Sequence, residues 1–190
     1  PSAELHRLAE PERALALLDE TKRRWAALTG RLKIKTPHPE LDRYMNGWAV
    51  YQTLACRLLA RTSIYQSGGA YGFRDQLQDA VNLLLLDSAP AREQIGRACA
   101  HQFAAGDVCH WWHEGAGAEH GMRTRISDDL LWLPWAVCEY VEKTGDADIL
   151  RAEYPFLAGE ELEESEHDRY QPLEVSTERG TVLELSLIHI

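Results

Sequence analysis

The residues of this 190-residue chain best placed to do chemistry lie in GAYGFRDQLQD, Gly69–Asp79. Two glycines make a turn, and Arg74, Asp75, Asp79 and two glutamine amides then crowd the start of an otherwise apolar helix. Asp75 and Asp79, four apart, share one helix face. Asp75 also sits in the first turn, where the helix dipole favours an anion. Two further groups stand out: CHWWHE at Cys109–Glu114 and RTRISDD at Arg123–Asp129. Carboxylates and arginines each hydrogen-bond two neighbouring hydroxyls, and charge-assisted bonds are the stronger ones. Trp111 and Trp112 offer ring faces that stack on the apolar side of a pyranose. The combined chemistry is recognition of a sugar.

Each of these residues also has a plainer reading. Asp75 serves equally as a helix-start charge, Asp128 and Asp129 after Ser127 as a capping turn, and Arg123 and Arg125 as counter-charges in an acidic chain. CHWWHE invites a metal reading through Cys109, His110, His113 and Glu114. It lacks a second ligand pair at a characteristic spacing, and no helix-borne HExxH occurs. Neither a metal nor a cofactor is expected. Trp132 and Trp135 read as core and His101 as helix surface.

The elements that must carry these groups read as helices. Helices are predicted over Pro11–Gly30, Pro39–Ala60, Phe73–Leu86, Ala91–Phe103 and Asp128–Thr144, from period-3.6 apolar stripes and Pro or Gly punctuation. The segment DADILRAEYPF adds a further turn or two. Residues 104–127 read as one long loop, and the acidic residues 157–180 as another. No strand alternation is evident before the tail, so the expected class is all-α, a series of α-hairpins. Consecutive helices joined this way run antiparallel. The helices starting at Phe73 and Asp128 then begin on the same side, together with the loops after Ala60 and Phe103. That topology gathers Arg61, Tyr65, Gln66, Arg74, Asp75, Trp111, Trp112, His113, Arg123, Arg125, Asp128 and Asp129 onto one rim, with a tight turn on the opposite side.

Composition narrows the partners. A formal charge of -10 argues against nucleic acid or an anionic membrane surface. No apolar run, the Leu83–Leu86 stretch included, approaches the roughly 20 residues a membrane span needs. The four cysteines, Cys56, Cys99, Cys109 and Cys138, show no CxxC pairing and read as buried free thiols of a reducing compartment, with a disulfide as the alternative. The chain opens without Met, and one codon choice for its last six residues, LSLIHI, spells the mosaic end of a transposase sequencing adapter. The expectation is an internal fragment whose native residues stop at Glu184. Residues 185–190 are then a sequencing or cloning artefact; a terminal β-strand is the other reading.

YQTLACRLLARTSIYQSGGAYGFRDQLQD, DVCHWWHE and RTRISDDLLWLPWAVCEYVEKTGD together resemble glycoside hydrolase family ninety-four, over nearly all of Lys33–Phe156. This family comprises cellobiose and chitobiose phosphorylases and the phosphorylase-like domain of cyclic β-1,2-glucan synthases. The wording of YQSGGAYGFRDQLQD and HWWH leans to the glucan-synthase branch. The resemblance implies an (α/α)6 toroid, of which residues 33–184 would be the N-terminal portion and residues 1–32 a linker helix region. It implies sugar contacts at the nonreducing-end subsite from Arg61 and Asp75. A second arginine of the cellobiose enzymes falls on Gly69, so a different linkage or acceptor is implied. The family's general acid lies in a tryptophan-asparagine-aspartate motif expected beyond Glu184, and no such triplet occurs here. The phosphate-binding residues would follow further on, so the fragment alone is expected to be inactive. The implied chemistry of the parent is inverting phosphorolysis or chain-length processing of β-linked glucans, with inorganic phosphate as cosubstrate and a β-glucan or glucoside as partner. The parent is then cytoplasmic, or on the cytoplasmic side of the inner membrane, and either fused to membrane glycosyltransferase domains or homodimeric. A noncatalytic helical interaction module and a metal-dependent helical enzyme are the competing classes.

Overall fold

A computed structural model describes residues 8, 10–61, 68–114 and 119–188. Its chain contacts divide into two compact units, residues 1–51 and 52–190.

The first unit is helical. Helix α1 (Pro11–Thr29) starts at a proline, which lacks the N–H that a first-turn position leaves unpaired, and buries none of its residues. The following connector is pinned by side chains of the next helix. Asn46 accepts from the Ile34 N–H at 2.7 Å and donates to its carbonyl at 2.9 Å, while Asp42 accepts from the Thr36 N–H at 2.8 Å. Helix α2 (Pro39–Arg43) widens into a π-helical stretch at Tyr44–Trp48 and returns to α geometry in α3 (Ala49–Tyr51). Trp25, Trp48 and Tyr51 form its aromatic cluster, with ring centroids 5.4–5.5 Å apart.

The second unit overturns the all-α expectation. After a π-helical segment, Gln52–Leu59, it holds β1 (Tyr71–Gly72), α4 (Phe73–Asn82), α5 (Ala89–Cys99), β2 (Cys109–His113), β3 (His120–Thr124), α6 (Asp129–Thr144), β4 (Glu153–Ala158), β5 (Asp168–Pro172), β6 (Glu174–Thr181) and α7 (Val182–Leu187). One antiparallel sheet runs β1-β2-β3-β5 and a second pairs β4 with β6. This is a mixed α/β unit, neither a run of α-hairpins nor the all-α portion of an (α/α)6 toroid that the resemblance implied. The strands hid because they are short and their pairing is non-local. CHWWH and HGMRT are five residues each, set among Gly-rich sequence that reads as loop. DRYQP and EVSTERGT are polar because they are mostly exposed, so they carry no apolar alternation.

The core lies where α4, α5 and α6 meet the sheet. Phe73 and Leu77 of α4, Ile95 and Ala98 of α5, Leu133 and Ala136 of α6, and Cys109 and Trp112 of β2 are all fully buried. Further expectations change with the fold. Helix α5 stops at Cys99 rather than Phe103. Tyr154–Phe156 continue β4 and not a helix. His101 is interior, while Trp135 is exposed and Trp132 half-buried. All four cysteines are free, but only Cys99 and Cys109 are buried; Cys56 is half-buried and Cys138 exposed. Residues 182–187 are helical, not a strand, and Leu185 is buried with its carbonyl accepting from Gln102 at 3.1 Å. Among the described residues no helix is long and apolar enough to cross a membrane.

Candidate functional site

The site is built on the step from β1 into α4. Tyr71 and Gly72 pair with Trp112 and Trp111 of β2, which fixes where α4 begins. Gly72 is the N-cap and has no side chain to satisfy the first turn, so the buried Gln76 does so, its Oε1 accepting from the Gly72 N–H. A Cβ at Gly72 would stand 3.1 Å from Asp75 Oδ2 and 3.3 Å from Gln76 Oε1. Glycine therefore leaves room for the Asp75 carboxylate to fold back over the turn. Asp75 is partly exposed, and no described residue hydrogen-bonds or ion-pairs with its carboxylate.

Its neighbours are all engaged. Asp79 pairs with Arg57 at 2.7 Å; burial pushes its carboxyl up, and the Arg57 charge pulls the other way. Asp128 at the start of α6 accepts from Arg74 at 2.7 Å and from Trp132 Nε1 at 3.4 Å. The Arg74 hydrogen bond holds this exposed carboxyl below its usual range. Asp129, the first residue of α6, is fully buried, and its Oδ2 lies 2.6 Å from His110 Nδ1. Asp129 Oδ1 is buried with no partner among the described residues. That hydrogen bond raises the His110 pKa, against the opposing effect of burial.

Arg61 approaches from the other end of β1. It holds a left-handed backbone, φ 50°, rare for a residue with a Cβ. Its Nε donates to Gly69 O at 2.8 Å and its Nη1 to Tyr71 Oη at 3.0 Å, and the guanidinium lies 4.1 Å from the Tyr71 ring centroid. Behind Tyr71 the aromatic stack continues inward through Trp112 to His101, with centroids 5.5 and 3.8 Å apart.

The expected rim residues thus separate. Arg74, Asp75, Asp128 and Asp129 share one neighbourhood, as the fields acting on Arg74 and His110 show. Trp112 is 0% exposed and belongs to the core. Trp111 faces the opposite side of the sheet, 5.5 Å from Tyr170 and 5.5 Å edge-on from His113. The exposed His113 bonds Gly68 O through Nε2 at 3.2 Å. Arg123 is buried against Asp107, which accepts from its Nη2 at 2.7 Å, and Arg125 donates to Leu162 O at 2.7 Å. Both line a separate hollow of about 320 Å³. Tyr65 and Gln66 lie outside the described residues. Among the described residues no group of three His, Cys, Asp or Glu could hold a metal. His110 turns to Asp129 instead, Cys109 is buried and pushed up to about 12 by burial, and Glu114 meets Arg97 at 3.4 Å. His110 as a partner of Asp129 was missed because no helix-only layout brings the two together. The aromatic β2 run between glycines was the one available signal.

A family model described as the glycosyl hydrolase 94 superfamily, catalytic domain, matches residues 24–179. The chain belongs to this family. Similar proteins include a cyclic beta-(1,2)-glucan synthase, NdvB, of Rhizobium meliloti (strain 1021), 46% identical over 169 residues, covering 89% of this chain and 6% of that protein. An N,N'-diacetylchitobiose phosphorylase of Vibrio proteolyticus is 27% identical over 172 residues, covering 77% of this chain and 22% of its own length. A solabiose phosphorylase of Paenibacillus borealis is 28% identical over 132 residues, covering 69% and 16%. The chain therefore spans less than a quarter of the length of each of these relatives.

Proposed function

We propose that this chain forms one side of a sugar site in an enzyme that processes β-linked glucans, with β-1,2-glucan as the favoured substrate. The catalytic-domain match supports the reading, as does the 46% identity to a protein named as a glucan synthase. One structural observation carries it. Of the four carboxylates on or beside α4, Asp79, Asp128 and Asp129 are each held by a cation or a histidine, and among the described residues Asp75 alone has no such partner and is left for a ligand. A half-buried, unpaired carboxylate is costly to keep unless something hydrogen-bonds to it. A pyranose edge with two adjacent hydroxyls does so without adding charge. Arg61 sits at the far end of β1, and the strain of its left-handed backbone is of the kind that collects at ligand sites.

The reaction in this reading is inverting phosphorolysis or chain-length processing, with inorganic phosphate as cosubstrate. One acid protonates the glycosidic oxygen while phosphate attacks the anomeric carbon from the opposite face. Phosphate is already an anion, so no second carboxylate need act as base. Asp75 then positions the sugar. The general acid and the phosphate contacts come from the parent protein beyond these residues, which leaves the isolated chain inactive. Within this scheme residues 1–32 are a linker helix region and residues 33–184 belong to the catalytic region.

The test is Asp75→Asn in the full-length parent, assayed for phosphate-dependent turnover of β-1,2-linked glucan. Losing charge-assisted bonds to two hydroxyls should lower kcat/KM on the order of a hundredfold. Turnover close to that of the unaltered enzyme would remove Asp75 from the site.

A further inference from the structure

A β-bulge puts His110 where it is. Cys109 pairs with Arg123 and Trp111 with Met122, so β2 spends one more residue than β3 between those pairs, and that residue is His110. Bulges re-aim a side chain out of the strand's alternation. Here the ring turns to α6, where Asp129 Oδ2 lies 2.6 Å from Nδ1. A carboxylate accepts, so Nδ1 carries the proton and Nε2 is the free position of the neutral ring. Among the described residues nothing hydrogen-bonds to Nε2, and the side chain is 28% exposed. Asp129 is 0% exposed, so it reaches a ligand only through a neighbouring group such as this ring, and its other oxygen has no partner among the described residues.

We propose that His110 is a second sugar-binding residue, presenting Nε2 to a pyranose hydroxyl beside Asp75, and that buried Asp129 is the residue that positions it. The proposal rests on the reading that a sugar occupies the Asp75 rim. The charged groups acting on His110 are Asp129 of α6 and Arg74 and Asp75 of α4. With Asp128 close by on Arg74, this surface carries more negative than positive charge, which disfavours an anion and suits a neutral polyol. A hydroxyl both donates and accepts, so it fits Nε2 whether the ring is neutral or protonated. The buried carboxylate removes the ring's freedom to rotate, as carboxylate partners do for histidines in other sites.

The experiment is a titration of the chain with a β-1,2-linked glucose disaccharide, followed through the histidine Cε1–H signals by NMR at several pH values. In the unaltered chain the His110 signal is expected to move on binding and to titrate above the ordinary histidine range. His110→Ala should weaken binding about tenfold, the loss of one good hydrogen bond to a polar side chain, and His110→Gln should restore part of it. Asp129→Asn should bring the His110 titration down and weaken binding in a chain that still melts cooperatively. Asp75→Ala separates the two readings. Binding lost in Asp75→Ala but unchanged in His110→Ala overturns the role of His110 and leaves the sugar site standing. Binding unchanged in both variants, or no binding by the unaltered chain at millimolar disaccharide, overturns both. An Asp129→Asn variant in which His110 titrates as before overturns the positioning role.

Discussion

Two histidines, His101 and His110, answer to pH in opposite senses. His101 is interior, stacked on Trp112, with Nδ1 donating to the Arg97 carbonyl at 2.7 Å. Burial lowers its pKa to about 4; the carbonyl bond opposes this and the Arg97 charge adds to it. Glu119 Oε2 stands 3.6 Å from Nε2, but it is 41% exposed, and burial decides the direction. The unfolded chain takes up a proton near pH 6.5 that the folded chain refuses until about 4, so stability falls as pH drops through that window. The loss is about 3 kcal/mol at its lower end, and urea melts at pH 7 and pH 4.5 of the unaltered chain and of His101→Phe should show it only in the former. For His110 the folded pKa is raised, so its contribution is present below about 6.5 and fades as pH rises through the folded value. Asp129→Asn should abolish that second slope, and melts between pH 6 and 9 would detect it.

The β2–β3 hairpin leaves almost no space between its strands. A Cβ on Gly121 would come within 2.3 Å of Cys109 Sγ and 2.9 Å of the Trp111 carbonyl. Gly121→Ala is therefore expected to cost about 1–3 kcal/mol, seen as a lower Tm. Removing His110 altogether should do less harm to the sheet. Cys109 and Trp112 face inward and Trp111 outward, which is the alternation of a regular strand once the bulged residue is taken out. The deletion should keep a cooperative melt while binding weakens; a collapse of the fold would show that the bulge is structural. The helices were legible because Leu77, Ala80, Val81, Leu133, Ala136 and Val137 repeat on a helical period. The hairpin was not, because its register is set by hydrogen bonds between residues 109 and 123, and no local pattern writes those down. Within the candidate site, the placing of Asp75 and Arg74 was legible from a charged helix start. The burial of Trp112 was not, since two adjacent tryptophans look alike until a bulge decides which one turns in.

Across the whole molecule, a net charge of -10 opposes the approach of polyanions. The chain should show no binding to duplex DNA at 0.15 M salt in a fluorescence titration, and measurable affinity would contradict the acidic surface reading. An adjoining apolar surface invites association. Leu131, Trp132 and Trp135 line an apolar hollow of about 410 Å³ next to Gln78 and Asp128, with Leu131 64% exposed. Patches of this kind promote self-association, so Leu131→Lys with Trp135→Gln should lower the sedimentation coefficient of the concentrated chain towards that of a monomer. The Arg74–Asp128 pair joins residues 54 positions apart, and the His110–Asp129 pair is completed at the same helix start. During synthesis the ribosome delivers Arg57, Arg74, Asp75 and His110 well before the aspartates that hold two of them. A nascent chain stalled ahead of Ser127 cannot yet set either the guanidinium or the imidazole in place, so both side chains would be fixed in one step as α6 leaves the exit tunnel.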